Sequence, residues 1–313
     1  MQARSVQYGR AGGIELIDVT VSDPGPGEVQ VQALACGICA WDVHVFQHGF
    51  AWDVMPGHEG VGRVVKIGPG VTGLAEGMRV TGHGLGFTEY ANLPAAQLHP
   101  LPVGGHADEH WIVEPVSCVV TGLDHCQAKA GERVALVGCG FMGLLMLQGL
   151  GRSMLEQVVA IDLDAGRLAL ARQFGATETF NVSESDADAV AEALADRGFD
   201  TVVDTTGSQA GLNLASRLVR PGGRLNLFGW NHGTASFPGD LWHMNGITVV
   251  NSAPNAALRD PFPPAIRLIE RGLLDLKPLV THVVPLDDYP DLLATAASRN
   301  DGYIKGVVRL HHD

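Results

Sequence analysis

The chain has little positive charge for its size. Its 313 residues hold 21 lysines and arginines against 34 aspartates and glutamates, a formal net charge of −13. No basic cluster reverses that balance locally, so nucleic acid and anionic membrane surfaces are excluded as expected partners. No apolar run reaches bilayer-spanning length. Met1-Gln2-Ala3-Arg4 opens directly into Val6 and Tyr8, without the charged and apolar regions of a secretory leader. Cysteine is scarce, and five is an odd number. That argues against a disulfide framework and for reduced thiols in the cytoplasm. Internal repeats and low-complexity linkers are also missing. What is present is a core-forming composition, 46% apolar and 18% charged, which excludes disorder. The 40 glycines exceed the roughly 22 expected at about 7% and recur singly, as tight turns and close backbone approaches require.

Residues 1–116 read as β-rich, the first 110 or so as all-β. Apolar alternation marks Ile14 to Ile17, Glu28 to Ala33 and Gly62 to Ile67, separated by Asp23-Pro24-Gly25-Pro26-Gly27 and Gly68-Pro69-Gly70. Many short strands with such punctuation predict a barrel or rolled sheet. Residues 117–257 alternate strand and helix. The unbroken apolar run Arg133 to Val137 suits a parallel strand buried on both faces. Helix 141–150, strand 158–161, helix 164–174, strand 200–204, helix 209–219 and strand 223–229 follow, with Ile247 to Val250 as a sixth strand at the edge. The fold class is α/β: a doubly wound parallel sheet joined to a β-rich domain. Residues 258–313 offer helix 263–271, a short strand, helix 287–297 and a last strand from Ile304 to Leu310. They are too few for a domain and are expected to return to the first one.

Gly138-Cys139-Gly140-Phe141-Met142-Gly143 fits G-x-G-x-x-G. Alone the pattern is weak, but here it follows a strand and opens a helix, and Asp162 ends the next strand. The first glycine makes the turn, the second admits a pyrophosphate, and the third lets helix and strand pack. Free N–H groups and the helix dipole face the phosphates. The carboxylate of Asp162 would bind the adenosine ribose hydroxyls and repel a 2′-phosphate, which favours NAD over NADP.

A second constellation lies upstream, in Cys36-Gly37-Ile38-Cys39-Ala40-Trp41-Asp42-Val43-His44 and Pro56-Gly57-His58-Glu59-Gly60. Cysteine, histidine and an acidic residue this close can form an open zinc site. The two cysteines could equally be a redox pair or buried thiols, and His58 a satisfied core histidine. The combination with a nucleotide fold favours metal. With Gly62, Gly68 and Val71 following Gly57-His58-Glu59, the sequence resembles the zinc alcohol dehydrogenase branch of the medium-chain dehydrogenase/reductase superfamily, over essentially the whole chain.

The resemblance implies a GroES-like catalytic domain, a Rossmann domain and a return to the first. It implies Cys39 and His58 as zinc ligands, with Glu114 of Val113-Glu114-Pro115 as the third, as in polyol, threonine and glucose dehydrogenases. Glu59 lies beside the metal and could ligate or exchange with water. Asp42 would hold the His58 imidazole, and His44 would accept the alcohol proton. Met142 would lie behind the nicotinamide and Cys118 near its carboxamide. Arg167 would sit at the adenosine ribose, and Lys305 would reach the pyrophosphate. For Arg167 and Lys305 a solvated surface charge is the plain alternative, and for His44 a buried histidine satisfied by backbone.

Two departures stand out. No cysteine occurs between Cys39 and Cys118, so the structural-zinc lobe is missing and one zinc per chain is implied. Trp41 replaces the Ser or Thr that usually passes the proton on, and its indole would narrow the substrate pocket. The implied reaction is hydride transfer between a secondary alcohol and NAD, with zinc as Lewis acid and a bias toward polyols, sugars or amino alcohols. Rival readings are a zinc-free quinone or enoyl reductase and a catalytically silent NAD-binding relative. Leu241 to Asn245 would line the pocket or an interface, and the edge strand near Ile247 suggests a dimer or a tetramer of dimers. His83, His106, His110, His125, His232 and His243 read mostly as surface residues, and His311-His312 is too short for a metal tract.

Overall fold

A computed structural model of the chain describes every residue except 10–12, 50–52, 184–186, 300–301 and 312–313, so His312 lies outside the described residues. Backbone contacts divide the chain into two compact units, Met1–Val116 with Phe262–Asp313, and Ser117–Pro261. Among the described residues no helix is long and apolar enough to cross a membrane.

The first unit begins with β1 (Gln2–Tyr8), β2 (Ile14–Thr20), β3 (Glu28–Gly37), α1 (Ala40–His48), β4 (Glu59–Ile67), β5 (Arg79–Gly82), β6 (Tyr90–Pro94) and β7 (Leu98–Pro100). Helix α2 (Val113–Cys126) crosses the unit boundary. The second unit holds β8 (Arg133–Val137), α3 (Phe141–Leu150), β9 (Gln157–Asp162), α4 (Ala165–Gln173), β10 (Glu178–Asn181), α5 (Ala187–Ala195), β11 (Phe199–Asp204), α6 (Gln209–Leu218), β12 (Val219–Leu227), α7 (Gly239–Met244) and β13 (Thr248–Asn251). The chain then returns to the first unit with α8 (Phe262–Glu270), β14 (Val280–Pro285), α9 (Tyr289–Ser298) and β15 (Lys305–Arg309).

In the first unit β1 and β2 form an antiparallel pair. A seven-stranded sheet runs β14-β15-β3-β4-β5-β7, with β6 also on β3. Strand β3 is its hub because Val29, Val31, Ala33 and Ala35 alternate along it and are almost fully buried. Its C-terminal end pairs with β15 on one side and the start of β4 on the other. That places Gly37 opposite Glu59. The core beneath includes Val6, Tyr8, Cys36, Val45, Phe87, Tyr289, Leu292 and Val308, each large apolar side chain contributing roughly 1.5–3 kcal/mol when fully buried.

The all-β expectation for this segment is corrected by α1, which carries Trp41, Asp42 and His44. The helix buries only Asp42 and Val45, so it has no apolar stripe to betray it, and Val43, Val45 and Phe46 read equally well as strand.

In the second unit six parallel strands run β10-β9-β8-β11-β12-β13. The order reverses beside β8, where open α/β sheets bind ligands at the carboxyl ends of their strands.

Candidate functional site

Helix α1 begins at Cys39, its N-cap. The Asp42 carboxylate reaches back and accepts the Cys39 N–H at 2.8 Å through Oδ2, which fixes the entry of the chain into the helix. His58 precedes β4 and Glu59 is its first residue. The potential ligand atoms of Cys39, His58 and Glu59 all lie within 4.8 Å of one another. Sulfur, nitrogen and carboxylate oxygen in this proportion suit Zn²⁺.

Glu114, expected as the third ligand, is buried in the first turn of α2 but outside this group. The start of β4 delivers Glu59, the other candidate ligand, next to His58. Asp42 is the residue expected to hold the His58 imidazole. Its Oδ2 serves the α1 cap, and its Oδ1 is buried with no hydrogen-bond partner among the described residues. Burial raises the Asp42 carboxyl to about 6, against the opposing effects of the Cys39 N–H and the charge of His58. A buried acceptor left open beside His58 fits a site whose imidazole is to be held by a carboxylate.

For Lys305 the surface-charge alternative is overturned. Expected either to reach the pyrophosphate or to be a solvated surface charge, it is buried, with Nζ 2.5 Å from Glu59 Oε2 and donating to the Ile38 carbonyl at 2.7 Å. Burial alone would lower its pKa, but the charge of Glu59, then of Cys39 and Tyr303, outweighs this and raises it. The ammonium therefore stays charged and balances Glu59. Burial first, then the charges of Glu59 and Asp42, push the Cys39 thiol well above its usual range; a bound cation would reverse that. Gly37 makes the room, since a Cβ there would stand 2.3 Å from Glu59 Oε2 and 3.0 Å from Lys305 Cε. No local signal announces this pair, because its members come from β4 and β15.

Trp41 is half-buried against the core, its ring edge-on to His58 with centroids 6.4 Å apart. His44 lies one turn beyond Trp41 and stacks on exposed His48 at 4.4 Å. Cys36 is fully buried, its Sγ donating to the Leu85 carbonyl.

The second unit holds the glycine-rich turn. Gly138 has φ +97°, and a Cβ at Gly143 would come 2.2 Å from the Gly138 carbonyl, so helix α3 can approach β8 only without one. At Gly140, the N-cap of α3, nothing lies within 4 Å of an added Cβ, the open cradle a pyrophosphate needs. Asp162 is half-buried at the end of β9. Its oxygens accept the N–H groups of Cys139 at 2.5 Å and Asp164 at 2.9 Å, so the carboxylate is fixed against the turn. Phe141 is buried, and Met142 and Cys118 are half-buried. Arg167 is half-buried in the first turn of α4, its N–H bonded to Asp164. His125 is not a surface residue: it is buried, with Nδ1 3.0 Å from Ser252 Oγ.

Residues 25–103 match the model of the alcohol dehydrogenase GroES-like domain, and residues 138–271 that of the zinc-binding dehydrogenases. Sorbitol dehydrogenase of Gallus gallus is 30% identical, covering 91% of each chain. An alcohol dehydrogenase of Cupriavidus necator is 28% identical over 96% of each. Among solved structures, a protein of Sinorhizobium meliloti 1021 bound to NADP superposes with a TM-score of 0.88 at 26% identity, over 99% of each chain. The 2R,3R-butanediol dehydrogenase of Bacillus subtilis superposes at 0.86 and 23% identity, over 98% of this chain and 99% of its own.

Proposed function

Since the chain belongs to the zinc-type medium-chain dehydrogenase/reductase family, we propose that it oxidises a secondary hydroxyl of a polyol, sugar or amino alcohol with NAD, using one zinc per chain. At the coarser level it is an NAD(P)-dependent dehydrogenase of alcohols. The observation that carries the finer reading is the convergence of Cys39, His58 and Glu59 within 4.8 Å.

Zinc held there would supply Lewis acidity for the hydroxyl, and NAD a hydride acceptor. The residues of the chain do the rest. Cys39, His58 and Glu59 would hold the ion, and Lys305 balances the charge of Glu59. Asp42 orients His58 through its open oxygen. His44 takes the hydroxyl proton. Trp41, which can accept no proton, limits the space beside His58 and so selects the substrate. Gly138, Gly140, Phe141, Met142 and Gly143 form the pyrophosphate turn, and Asp162 with Arg167 faces the adenosine ribose. The fixed carboxylate of Asp162 is the reason for naming NAD over NADP.

The polyol bias rests on Glu114 standing where other branch members carry cysteine, and on relatives that include sorbitol and D-arabinitol dehydrogenases. No disulfide forms among the described residues, which suits the cytoplasm. The exposed edge of β13, where Val249 is 36% accessible, suits pairing with a second copy in a dimer. The test is a panel of polyols, aldoses and simple primary alcohols with NAD, on protein whose zinc content has been measured. NADH formation with polyols at one zinc per chain is expected; turnover of primary alcohols alone would overturn the substrate class.

A further inference from the structure

Tyr8 is buried at the end of β1 and tied to both segments that bring the candidate ligands together. Its N–H donates to the Val54 carbonyl at 2.8 Å, and the Val54 N–H returns to the Tyr8 carbonyl at 3.0 Å. Val54 leads directly into Pro56-Gly57-His58. On the other side, the Tyr8 hydroxyl donates to the main-chain carbonyl of Asp42 at 3.5 Å, in the first turn of the helix that Cys39 caps. A second phenol, Tyr289 at the start of α9, is fully buried and hydrogen-bonded to the Tyr8 hydroxyl. Phe87 packs on the Tyr289 ring, centroids 4.6 Å apart, and its N–H donates to the Pro56 carbonyl at 3.2 Å. The His58 segment is therefore fastened to the main chains of Tyr8 and Phe87, and helix α1 to the Tyr8 hydroxyl, with Tyr289 touching both Tyr8 and Phe87.

An apolar side chain would fill this volume without a hydroxyl to satisfy. Two phenols serve one another and a helix carbonyl instead. Burial, reinforced by the nearby charge of Asp42, raises the pKa of both phenols, so each keeps the proton it needs to donate.

We infer that Tyr8 and Tyr289 are positioning residues for the metal site, holding α1 in the register against residues 54–58 at which Cys39 and His58 converge. The inference rests on the reading of Cys39, His58 and Glu59 as a metal site. Neither tyrosine is a ligand.

The double variant Y8F/Y289F removes both hydroxyls, keeps both rings and leaves no hydroxyl orphaned, so the metal-free fold should melt near the wild type. Zinc release to excess chelator should be about tenfold faster. In cobalt-loaded protein the thiolate-to-metal and d–d bands should change in position or intensity. Should the double variant fail to fold, Y289F alone leaves Tyr8 bonded to Asp42, and its zinc release should be roughly two- to threefold faster. Release rates and cobalt spectra equal to the wild type, in whichever variant folds, overturn the positioning role. Wild type and Cys39→Ser separate the two claims. If the wild type takes up no cobalt, or Cys39→Ser shows the same thiolate band, the metal reading and the inference fall together. If the wild type shows a Cys39-dependent band that Y8F/Y289F reproduces unchanged, only the inference falls.

Discussion

A methyl group at position 37 has nowhere to go, because the space is taken by the Glu59 carboxylate and the Lys305 stem. Gly37→Ala should therefore destabilise the fold by about 1–3 kcal/mol and lower the zinc content, read by urea unfolding and metal analysis. Lys305→Met should act differently. It leaves Glu59 buried without its counter-charge, at a cost of about 3–5 kcal/mol in the metal-free protein. Added zinc gives that carboxylate a new partner, so the rise in melting temperature on zinc addition should exceed that of the wild type; an equal or smaller rise would contradict the assignment of Glu59 as a ligand. In the second unit, Asp162→Ser removes the negative charge proposed to face the ribose. The ratio of kcat/KM for NAD over NADP should fall about tenfold or more, the effect of roughly 1.4 kcal/mol or more in differential binding. An unchanged ratio would show that another group sets the choice of coenzyme.

Secondary elements were legible where their signals are local. Strand β8, the glycine turn and α3 form one continuous stretch, and the apolar run, the glycine spacing and Asp162 all point the same way. The pair β10 and α5 was missed. Glu178–Asn181 is half-buried throughout and has no apolar run, and α5 is an alanine-rich helix whose buried Val190, Ala191 and Leu194 make a thin stripe. Helix α1 was hidden because it buries only Asp42, at the site, and Val45, in the core, too few to make a stripe. Cys39 and His58 could be named from their motifs, whereas the partner of Glu59 could not, because strand register across β3, β4 and β15 decides it. At the edge of the second sheet, β13 meets only β12 among the described residues. If that edge joins two copies, Val249→Lys should shift the protein toward monomer in light scattering at micromolar concentration. A wild type that is already monomeric would dispose of the dimer.

Across the whole molecule, the candidate metal ligands belong to one compact unit and the glycine-rich turn to the other. Chelation should therefore abolish alcohol oxidation, by about a hundredfold or more, while leaving NADH binding within about twofold, as followed by the fluorescence of the bound dinucleotide. Parallel loss of both would mean that the ion also supports the nucleotide-binding unit.

The first unit is also discontinuous in the chain. Lys305 reaches the Ile38 carbonyl across 267 positions, and β15 lies on β3 beside Gly37. During translation, the cysteine, histidine and glutamate leave the ribosome long before the lysine that neutralises them. The nucleotide-binding unit is completed in the interval and can fold first. The centre can close only when the final strand emerges, so a transcript truncated before the codons of β15 would yield a folded coenzyme binder with an unfinished metal pocket.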